Sequence, residues 1–412
     1  MTPTKRRSYR YSGQDFQDDG ILVKDAMRLI KESEFYDEIV DTFNLDEIKN
    51  DFIEIKGAKK LVDTLIEADE EFEKIDLDAP LDKVRLHKYT DDNQIILEIL
   101  DIKDKSILTK AKKDMLYPQS IYSVRSEYLG MFGIDKYLEY CKTQGYNDII
   151  DANIGMLNNR VGQSQKAKKF RLLKKDNEYY IRAITSTDVY KDYNLRFSLF
   201  VALIELHKLT KYNAHSFYVE RYNLNESDLT ILFKSSRKET VSKDTKIGFA
   251  FELMNDEIKR DAVKFNGLFT VYMAEKEIFV KSDEPKKCNL ISFAHSVGLD
   301  KVKDRISSLN ASINDFINDT VNDAKKIKVL GAPDLFREYI LMKVQNSKNH
   351  EFNKNYREQA KQILSSKVRT IFELATLFEK VELLIEDDHI VSLDFWRHKL
   401  YQVLMDGVKN RE

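Results

Sequence analysis

The sequence contains few of the residues that break or cross-link a chain. Its 412 residues include 5 prolines and 13 glycines, too few for long flexible linkers or a turn-rich β-sandwich. The two cysteines, Cys141 and Cys288, are far apart and form no C-x-x-C pair, which excludes a disulfide scaffold and is typical of thiols in a reducing compartment. No apolar run approaches the about 18 residues of a membrane span, and none follows the N-terminal arginines as in a signal peptide. We therefore expect a cytoplasmic protein without membrane association.

Common catalytic signatures are also absent. The sequence has no G-x-x-x-x-G-K-[ST] loop, no G-x-G-x-x-G fingerprint and no G-x-S-x-G elbow. No two of its seven histidines have H-x-x-x-H spacing, and Asp387, Asp388 and His389 are adjacent, which is more typical of a solvated loop than of a chelating site. We expect no catalytic residue, no cofactor and no bound metal. A hydrolase triad assembled from distant segments stays open, although nothing in the sequence supports one.

The residues that are present favour a folded α+β protein. Hydrophobic residues make up 42% and charged residues 33%, as in globular proteins. Helical spacing of apolar residues occurs at both ends of the chain, whereas strand-like runs cluster between 178 and 281, with turn chemistry at Asn223–Ser227. We predict a central antiparallel sheet spanning 178–281, with the helix 193–211 packed on it, flanked by a helical N-terminal region and a helical C-terminal bundle.

The same patterns divide the chain into four segments. Residues 1–20 are predicted to be a flexible basic arm, and residues 21–115 an acidic, mainly helical region. Residues 116–330 should form the α+β core, and residues 331–412 a C-terminal helical region.

Charge is unevenly distributed along the chain. The net charge is −2, yet residues 11–110 hold 27 acidic and 14 basic side chains. Residues 160–196 hold ten basic and four acidic side chains, interleaved with aromatic residues. Cations can neutralise phosphates and aromatic rings can stack on unpaired bases, so this segment favours single-stranded nucleic acid. The residues expected to bind it are Arg160, Lys168, Lys169, Arg171, Arg182 and Tyr190. The alternative is that the lysines line a solvated loop and that the tyrosines belong to the core.

Two of these assignments depend on local context. Arg182 lies mid-strand in YYIRAI, where it could face a ligand; if it were fully buried in an ion pair, it would instead be a fold residue. Residues 5–11 repeat the basic and aromatic pattern. They could contact phosphates or form an untethered tail.

A series of short motifs between about 125 and 325 resembles domain-of-unknown-function family 932. The motifs are NIGMLNN at 153–159, YIRAITS at 180–186 with Tyr190 and Tyr193-Asn194, and then Gly248, Asn255 and His295. The family's usual S-D-R-Y is one residue longer here, and of its Cys-Thr-Asn-Gly only Asn266-Gly267 is retained. The resemblance covers about half of the chain. It implies a phage, plasmid or integrated-element setting and no particular reaction.

Two hypotheses about function follow. The first is a non-enzymatic accessory protein of a mobile element that binds single-stranded nucleic acid in recombination or replication. The second is a protein-binding factor, with a host or phage protein as partner, that engages or inhibits a host defence complex. The sequence leaves open whether the chain forms a homo-oligomer.

Overall fold

The structure is a computed structural model, and it describes most of the chain. The described residues are 4–11, 20–102, 114–161, 166–213, 216–241, 246–258, 262–282, 284–324, 332–385 and 389–409. Much of the predicted arm 1–20, the predicted boundary at 330/331, and Asp387 with Asp388 lie outside the described residues.

The strands and helices alternate in blocks along the chain. The strands are β1 Arg7–Arg10, β2 Ile21–Leu22, β3 Phe52–Ile53, β4 Glu73–Pro80, β5 Val84–Tyr89, β6 Ile95–Leu100, β7 Met115–Leu116, β8 Gln119–Ser120, β9 Ala167–Lys175, β10 Glu178–Thr185, β11 Phe217–Leu224, β12 Asp228–Thr240, β13 Lys246–Asp256, β14 Val263–Met273, β15 Lys276–Val280 and β16 Asn289–Phe293. The helices are α1 Val23–Ala26, α2 Tyr36–Phe43, α3 Leu45–Ile48, α4 Ala58–Glu70, α5 Val124–Gly130, α6 Asp135–Thr143, α7 Asn147–Val161, α8 Leu195–Asn213, α9 Pro285–Cys288, α10 Leu299–Ser307, α11 Leu309–Ala324, α12 Pro333–Gln345, α13 Lys354–Leu364, α14 Ile371–Leu384 and α15 Ile390–Lys409.

The larger strands form two separate sheets, each with its own apolar core. We call residues 73–185, which contain β4 to β10, the small lobe. The described residues before 73 and after 185 form the large lobe. Helices α4 and α8, which flank the small lobe in sequence, pack against each other. The small lobe is therefore inserted between two neighbouring helices of the large lobe.

The large-lobe sheet is antiparallel and runs in the order β1-β11-β12-β13-β14-β15, with β16 also pairing with β14. Along each strand, successive side chains face opposite sides of the sheet. On β13, Phe249 and Phe251 join the main core, against which α8 and α11 pack. Ala250 and Glu252 face the other side. Helices α14 and α15 pack on β15 and reach that second face.

The small-lobe sheet runs in the order β4-β9-β10-β8-β6-β5, with β7 beside β6. Its pairs are antiparallel except for β8 and β10, which are parallel. Helices α5, α6 and α7 cover one face through Leu129, Leu138 and Leu157, among others. At the β5 edge, the Asn158 side chain accepts from the Leu86 backbone N at 2.8 Å and donates to its O at 2.9 Å. Asn158 thus satisfies part of an edge that could otherwise pair with another chain.

The α+β fold with an antiparallel sheet and helices at both ends is confirmed. The predicted hairpin at Asn223–Ser227 is present, and so are the C-terminal helices. The prediction of a single sheet over 178–281 is wrong, because residues 178–185 form β10 of the small lobe. Helix α8 does pack on the large-lobe sheet, against β13.

Two further expectations need correction. Residues 21–115 are not mainly helical beyond α4, since β4, β5 and β6 lie there and join a sheet with strands that follow residue 116. The apolar spacing of Leu61, Leu65 and Phe72 predicts a helix over 58–75, but α4 ends at Glu70 and the alternating pattern of β4 begins at Glu73. The described part of the arm is also ordered into a strand, β1.

Candidate functional site

Several residues named in the sequence analysis lie together where the two lobes touch, although they span more than a hundred positions of the chain. Arg182 comes from β10 of the small lobe, and Tyr190 and Asn194 from the segment that leads into α8. Asn255 lies at the end of β13, and His295 follows β16. We call this region, together with Glu257 and its ion-pair partners, the lobe junction.

Glu257 is the centre of the lobe junction. It follows β13 directly and is completely buried. Its carboxylate accepts from the guanidinium of Arg182, and Lys74 Nζ lies 3.2 Å from its Oε2. The Leu195 backbone N, at the start of α8, donates to Oε1 at 3.0 Å. Burial alone would raise the pKa of Glu257, but the charges of Lys74, Arg182 and Arg171 outweigh it and hold that pKa far below its ordinary value.

Arg171 is the second buried cation of the junction. It lies in β9 between Phe170 and Leu172, which face the small-lobe core, so its own side chain faces the large lobe. Its Nε lies 3.1 Å from Asp76 Oδ1, and its Nη2 lies 2.9 Å from Asp192 Oδ1. A third contact, at 3.8 Å, joins Nη2 to Glu257 Oε2. Arg171 therefore links three carboxylates from different parts of the chain.

Tyr190 and His295 close the junction on one side. Their rings stack at 5.0 Å with an angle of 4° between the planes, and the Tyr190 hydroxyl is hydrogen-bonded to Arg171. His295 Nε2 lies 3.2 Å from Asn255 Oδ1, while Asn255 Nδ2 donates to the Tyr193 carbonyl at 2.9 Å. Burial lowers the pKa of His295 and raises that of Tyr190, so both side chains are neutral near pH 7.

The junction is a buried network. Arg182 is completely buried, and within the described part of the chain its Nε and Nη2 have no hydrogen-bond partner. Its Nη1 donates to the carboxylate of Glu257. This geometry holds the two lobes together. Arg182 is thus a fold residue.

The six predicted nucleic-acid residues are separated by the fold. Arg171 and Arg182 are buried, and Tyr190 is stacked inside the junction. Lys169 lies 3.9 Å from Asp76, whereas Arg160 is exposed and Lys168 half-buried. The expectation that Arg171 lies on a nucleic-acid-binding surface with Lys168 and Lys169 is therefore wrong.

The charge asymmetry of the sequence is largely neutralised within the molecule. Strand β4 lies beside β9, which brings the acidic run 69–78 against the basic segment. Among the described residues, six of the ten basic side chains of 160–196 have an acidic partner within 4 Å. The ion pairs are Lys169 and Arg171 with Asp76, Lys174 with Glu73, Lys175 with Glu71, Arg182 with Glu257 and Arg196 with Asp69.

A second buried network joins the large-lobe sheet to the C-terminal helices. Arg397 of α15 is completely buried, with Nη1 3.3 Å from Glu252 Oε1 of β13 and Nη2 2.8 Å from Glu382 Oε1 of α14. Lys281 lies 3.3 Å from Glu252 and 2.8 Å from Asp394. Burial alone would lower the pKa of Lys281, but Glu252 and Asp394 raise it. We call these five residues the bundle junction.

Two of the clefts among the described residues open on the large lobe. The larger, of about 420 Å³, lies between the ends of β12 and β13 and the start of α15, with Asp228, Asp256 and His389 in its lining. The smaller, of about 200 Å³, lies beside the bundle junction and is lined by Glu220, Phe279 and Trp396 among others. Burial raises the pKa of Glu220. Neither cleft includes a predicted nucleic-acid residue.

Sequence reasoning missed Glu257, Lys74, Glu252 and Arg397. One signal was present, since Glu252 interrupts the apolar run FAFELM in the same way that Arg182 interrupts YYIRAI. A charged residue in the middle of a buried strand needs a partner of opposite charge. Glu257 carried no such signal, because its polar neighbours made it look like part of a turn.

Comparison of the chain with family models, curated proteins and solved structures found no match. The resemblance to family 932 therefore stays a prediction. Among the described residues, no group of three or more His, Cys, Asp or Glu side chains is arranged to hold a metal ion. In the same residues, no helix is long and apolar enough to cross a membrane.

Proposed function

We propose that this protein is a non-enzymatic accessory factor that acts by binding another protein, in the mobile-element setting that the resemblance implies. The observation that carries the proposal is a group of exposed apolar side chains on the small lobe, which we call the tyrosine face. Its members are 39% to 66% exposed and are Met131, Tyr137, Tyr140, Tyr146 and Met156. They lie on or between α5, α6 and α7, whose buried residues face the small-lobe sheet.

The chemistry of the tyrosine face fits a protein better than a nucleic acid. Tyrosine and methionine are enriched at protein interfaces, where their rings and flexible thioethers pack against a partner. Residues 124–161, which carry α5 to α7, hold five acidic and four basic side chains. Nucleic-acid surfaces carry a clear excess of positive charge, because phosphate neutralisation supplies most of the affinity. A host complex, such as a defence complex, is one class of partner that this face could engage.

Single-stranded nucleic acid is the second candidate, and one observation favours it. Arg160, Lys166 and Lys168 are exposed or half-buried and have no ion-pair partner among the described residues. All three lie near the end of α7 and the start of β9. They could contact a few phosphates, although Arg171 and Arg182 are not available to extend the surface.

The test compares two matched variants by affinity purification from the host. The first changes the tyrosine face by Tyr140→Ser, Tyr146→Ser and Met156→Gln. The control removes a similar exposed stripe on α12 by Leu335→Ser, Tyr339→Ser and Met342→Gln. We expect a partner that is retained by the wild type and the control and lost by the tyrosine-face variant. Retention of every partner by the tyrosine-face variant would contradict the proposal.

A labelled single-stranded oligonucleotide at low salt distinguishes the second candidate. We expect no shift with the wild-type protein. A shift that is abolished by Arg160→Glu, Lys166→Glu and Lys168→Glu together, and that weakens with salt, would establish the nucleic-acid hypothesis instead.

A further inference from the structure

The described N-terminal arm, residues 4–11, lies as an added strand on the outer edge of the large-lobe sheet. Strand β1 pairs antiparallel with β11, from Arg7 opposite Leu224 to Arg10 opposite Arg221. The Tyr11 backbone N continues the ladder by donating to the Glu220 carbonyl at 2.7 Å. We call residues 220–224 the β11 edge. The preceding part of β11 is bridged by Lys56, which donates to the Phe217 carbonyl and accepts from Val219 N.

The arm is held by its backbone and by surface contacts. None of residues 4–11 is buried, whereas Tyr222 and Leu224 beneath them are. Tyr9 stacks on Tyr222 with ring centroids 5.3 Å apart, and Arg7 Nη2 lies 3.2 Å from Glu71 Oε2. Ion pairs with this much exposure add little stability and weaken with salt. The arm therefore resembles a docked peptide more than a core strand.

Acidic and aromatic groups flank the β11 edge at its two ends. Asp228 lies 2.9 Å from Arg6 Nη1 at one end, and the Tyr218 ring contacts Tyr11 at 4.8 Å at the other. Addition of a strand to a sheet edge takes its affinity from backbone hydrogen bonds and its specificity from the alternate side chains. Nucleic acid cannot supply such a ladder, and the carboxylates would repel its phosphates.

We propose that the β11 edge is a binding site for an extended segment of a partner protein in which basic residues and tyrosines recur as they do in the arm. The arm occupies the site in cis and limits access until it is displaced. This site is separate from the tyrosine face, so its test does not depend on that of the proposed function.

The register of β1 on β11 provides a control for the backbone ladder. Tyr11 and Glu220 form a hydrogen-bonded pair, and such pairs alternate along an antiparallel ladder. Tyr9 opposite Tyr222 is therefore also a hydrogen-bonded pair, whereas the N–H of Ser8 points away from β11. Methylation of the Tyr9 nitrogen in a peptide removes a ladder bond, and methylation of the Ser8 nitrogen does not.

The experiment uses the full chain with Arg6→Glu and Arg7→Glu, which loosens the arm without changing β11. The probe is a fluorescein-labelled peptide, TKRRSYRY, with the sequence of residues 4–11, and its binding is followed by fluorescence anisotropy. We expect the loosened protein to bind it about tenfold more tightly than the wild type, because apparent affinity follows the fraction of molecules with an open site. The peptide methylated at Tyr9 should lose binding, and the one methylated at Ser8 should keep it.

Three results would overturn the proposal. One is absence of binding to the loosened protein when its thermal unfolding matches that of the wild type. If that variant does not fold, Tyr9→Ala takes its place in the same assay. Another is equal binding of the two methylated peptides, which would mean that no ladder forms. The third is a wild-type dimer that the Arg6→Glu and Arg7→Glu changes abolish, since the occupant would then be the arm of a second copy.

Discussion

The lobe junction and the bundle junction are both buried ionic networks, but their connectivity differs. In the lobe junction, Glu257 is shared by Arg182, Lys74 and Arg171. In the bundle junction, charges alternate along a chain in which Arg397 bridges Glu382 and Glu252, and Lys281 follows Glu252. A network with a shared centre is therefore more sensitive to substitution, because loss of the central residue leaves several buried charges unpaired at once.

The largest effect should come from removal of the shared centre. Glu257→Ala leaves Arg182 buried without its carboxylate, and breaking a buried pair in this way typically costs about 3–5 kcal/mol. We expect a loss in this range in the free energy of unfolding, measured by urea denaturation. The two lobes should also unfold less cooperatively, since one of the contacts that join them is gone. A single transition with a loss under about 1 kcal/mol would show that Glu257 is not the centre.

The bundle junction should tolerate the equivalent change better. After Arg397→Met, Glu252 keeps Lys281 and Glu382 keeps Arg221 at 3.5 Å. We therefore expect a smaller loss, of about 1–3 kcal/mol, in the same denaturation assay. Adding Lys281→Met should cost more than the sum of the two single changes, because Glu252 then has neither cation. Additive losses would contradict the alternating chain.

The lobe junction should also be sensitive to acid. The folded pKa of Glu257 lies below the about 4.3 of an unfolded glutamate, so the unfolded chain binds the proton more readily. The stability that Glu257 contributes is thus present above that unfolded value and is lost as the pH falls through the folded pKa. Between about pH 6 and about pH 3, the wild type should lose more unfolding free energy than Glu257→Gln. Parallel pH profiles for the two proteins would contradict this expectation.

The smallest effect should come from an exposed pair on the same strand as Arg171. Lys174 Nζ lies 2.6 Å from Glu73 Oε2, and the Glu73 side chain is 57% exposed. Exposed ion pairs contribute about 0–1 kcal/mol, so Lys174→Ala should leave the unfolding midpoint almost unchanged. A loss of unfolding free energy as large as that of Arg397→Met would mean that burial does not explain the difference between exposed and buried ion pairs.

Elements that depend on nearby residues could be predicted from the sequence. The hairpin at Asn223–Ser227 followed from turn chemistry between two strand patterns, and α12 to α15 followed from apolar spacing. The sheet to which β10 belongs could not be predicted, because strand pattern and hairpin chemistry do not show which distant strand is its neighbour. Residues 180–184 carry no pattern that names β8 and β9 as their neighbours.

In the candidate site, too, local features could be predicted and distant partners could not. Arg182 attracted attention because it interrupts an apolar strand, and the prediction named a buried ion pair as the alternative outcome. Its partner Glu257 lies 75 residues away and was not predicted. The basic segment was interpreted as a surface for an external anion. Strand β4 lies about a hundred positions earlier, and its carboxylates fill that role instead.

The insertion of the small lobe has a consequence for synthesis of the chain. Residues 73–185 are contiguous, whereas the large lobe needs both β1 and β11, which are more than two hundred residues apart in sequence. Domains generally fold as units while the chain emerges, starting from the N-terminal side. The small lobe can therefore fold on the ribosome before β13 has been made. During that interval Arg182 lies at its surface without the carboxylate of Glu257, which is translated 75 residues later, so a chaperone or a competing anion has access to it.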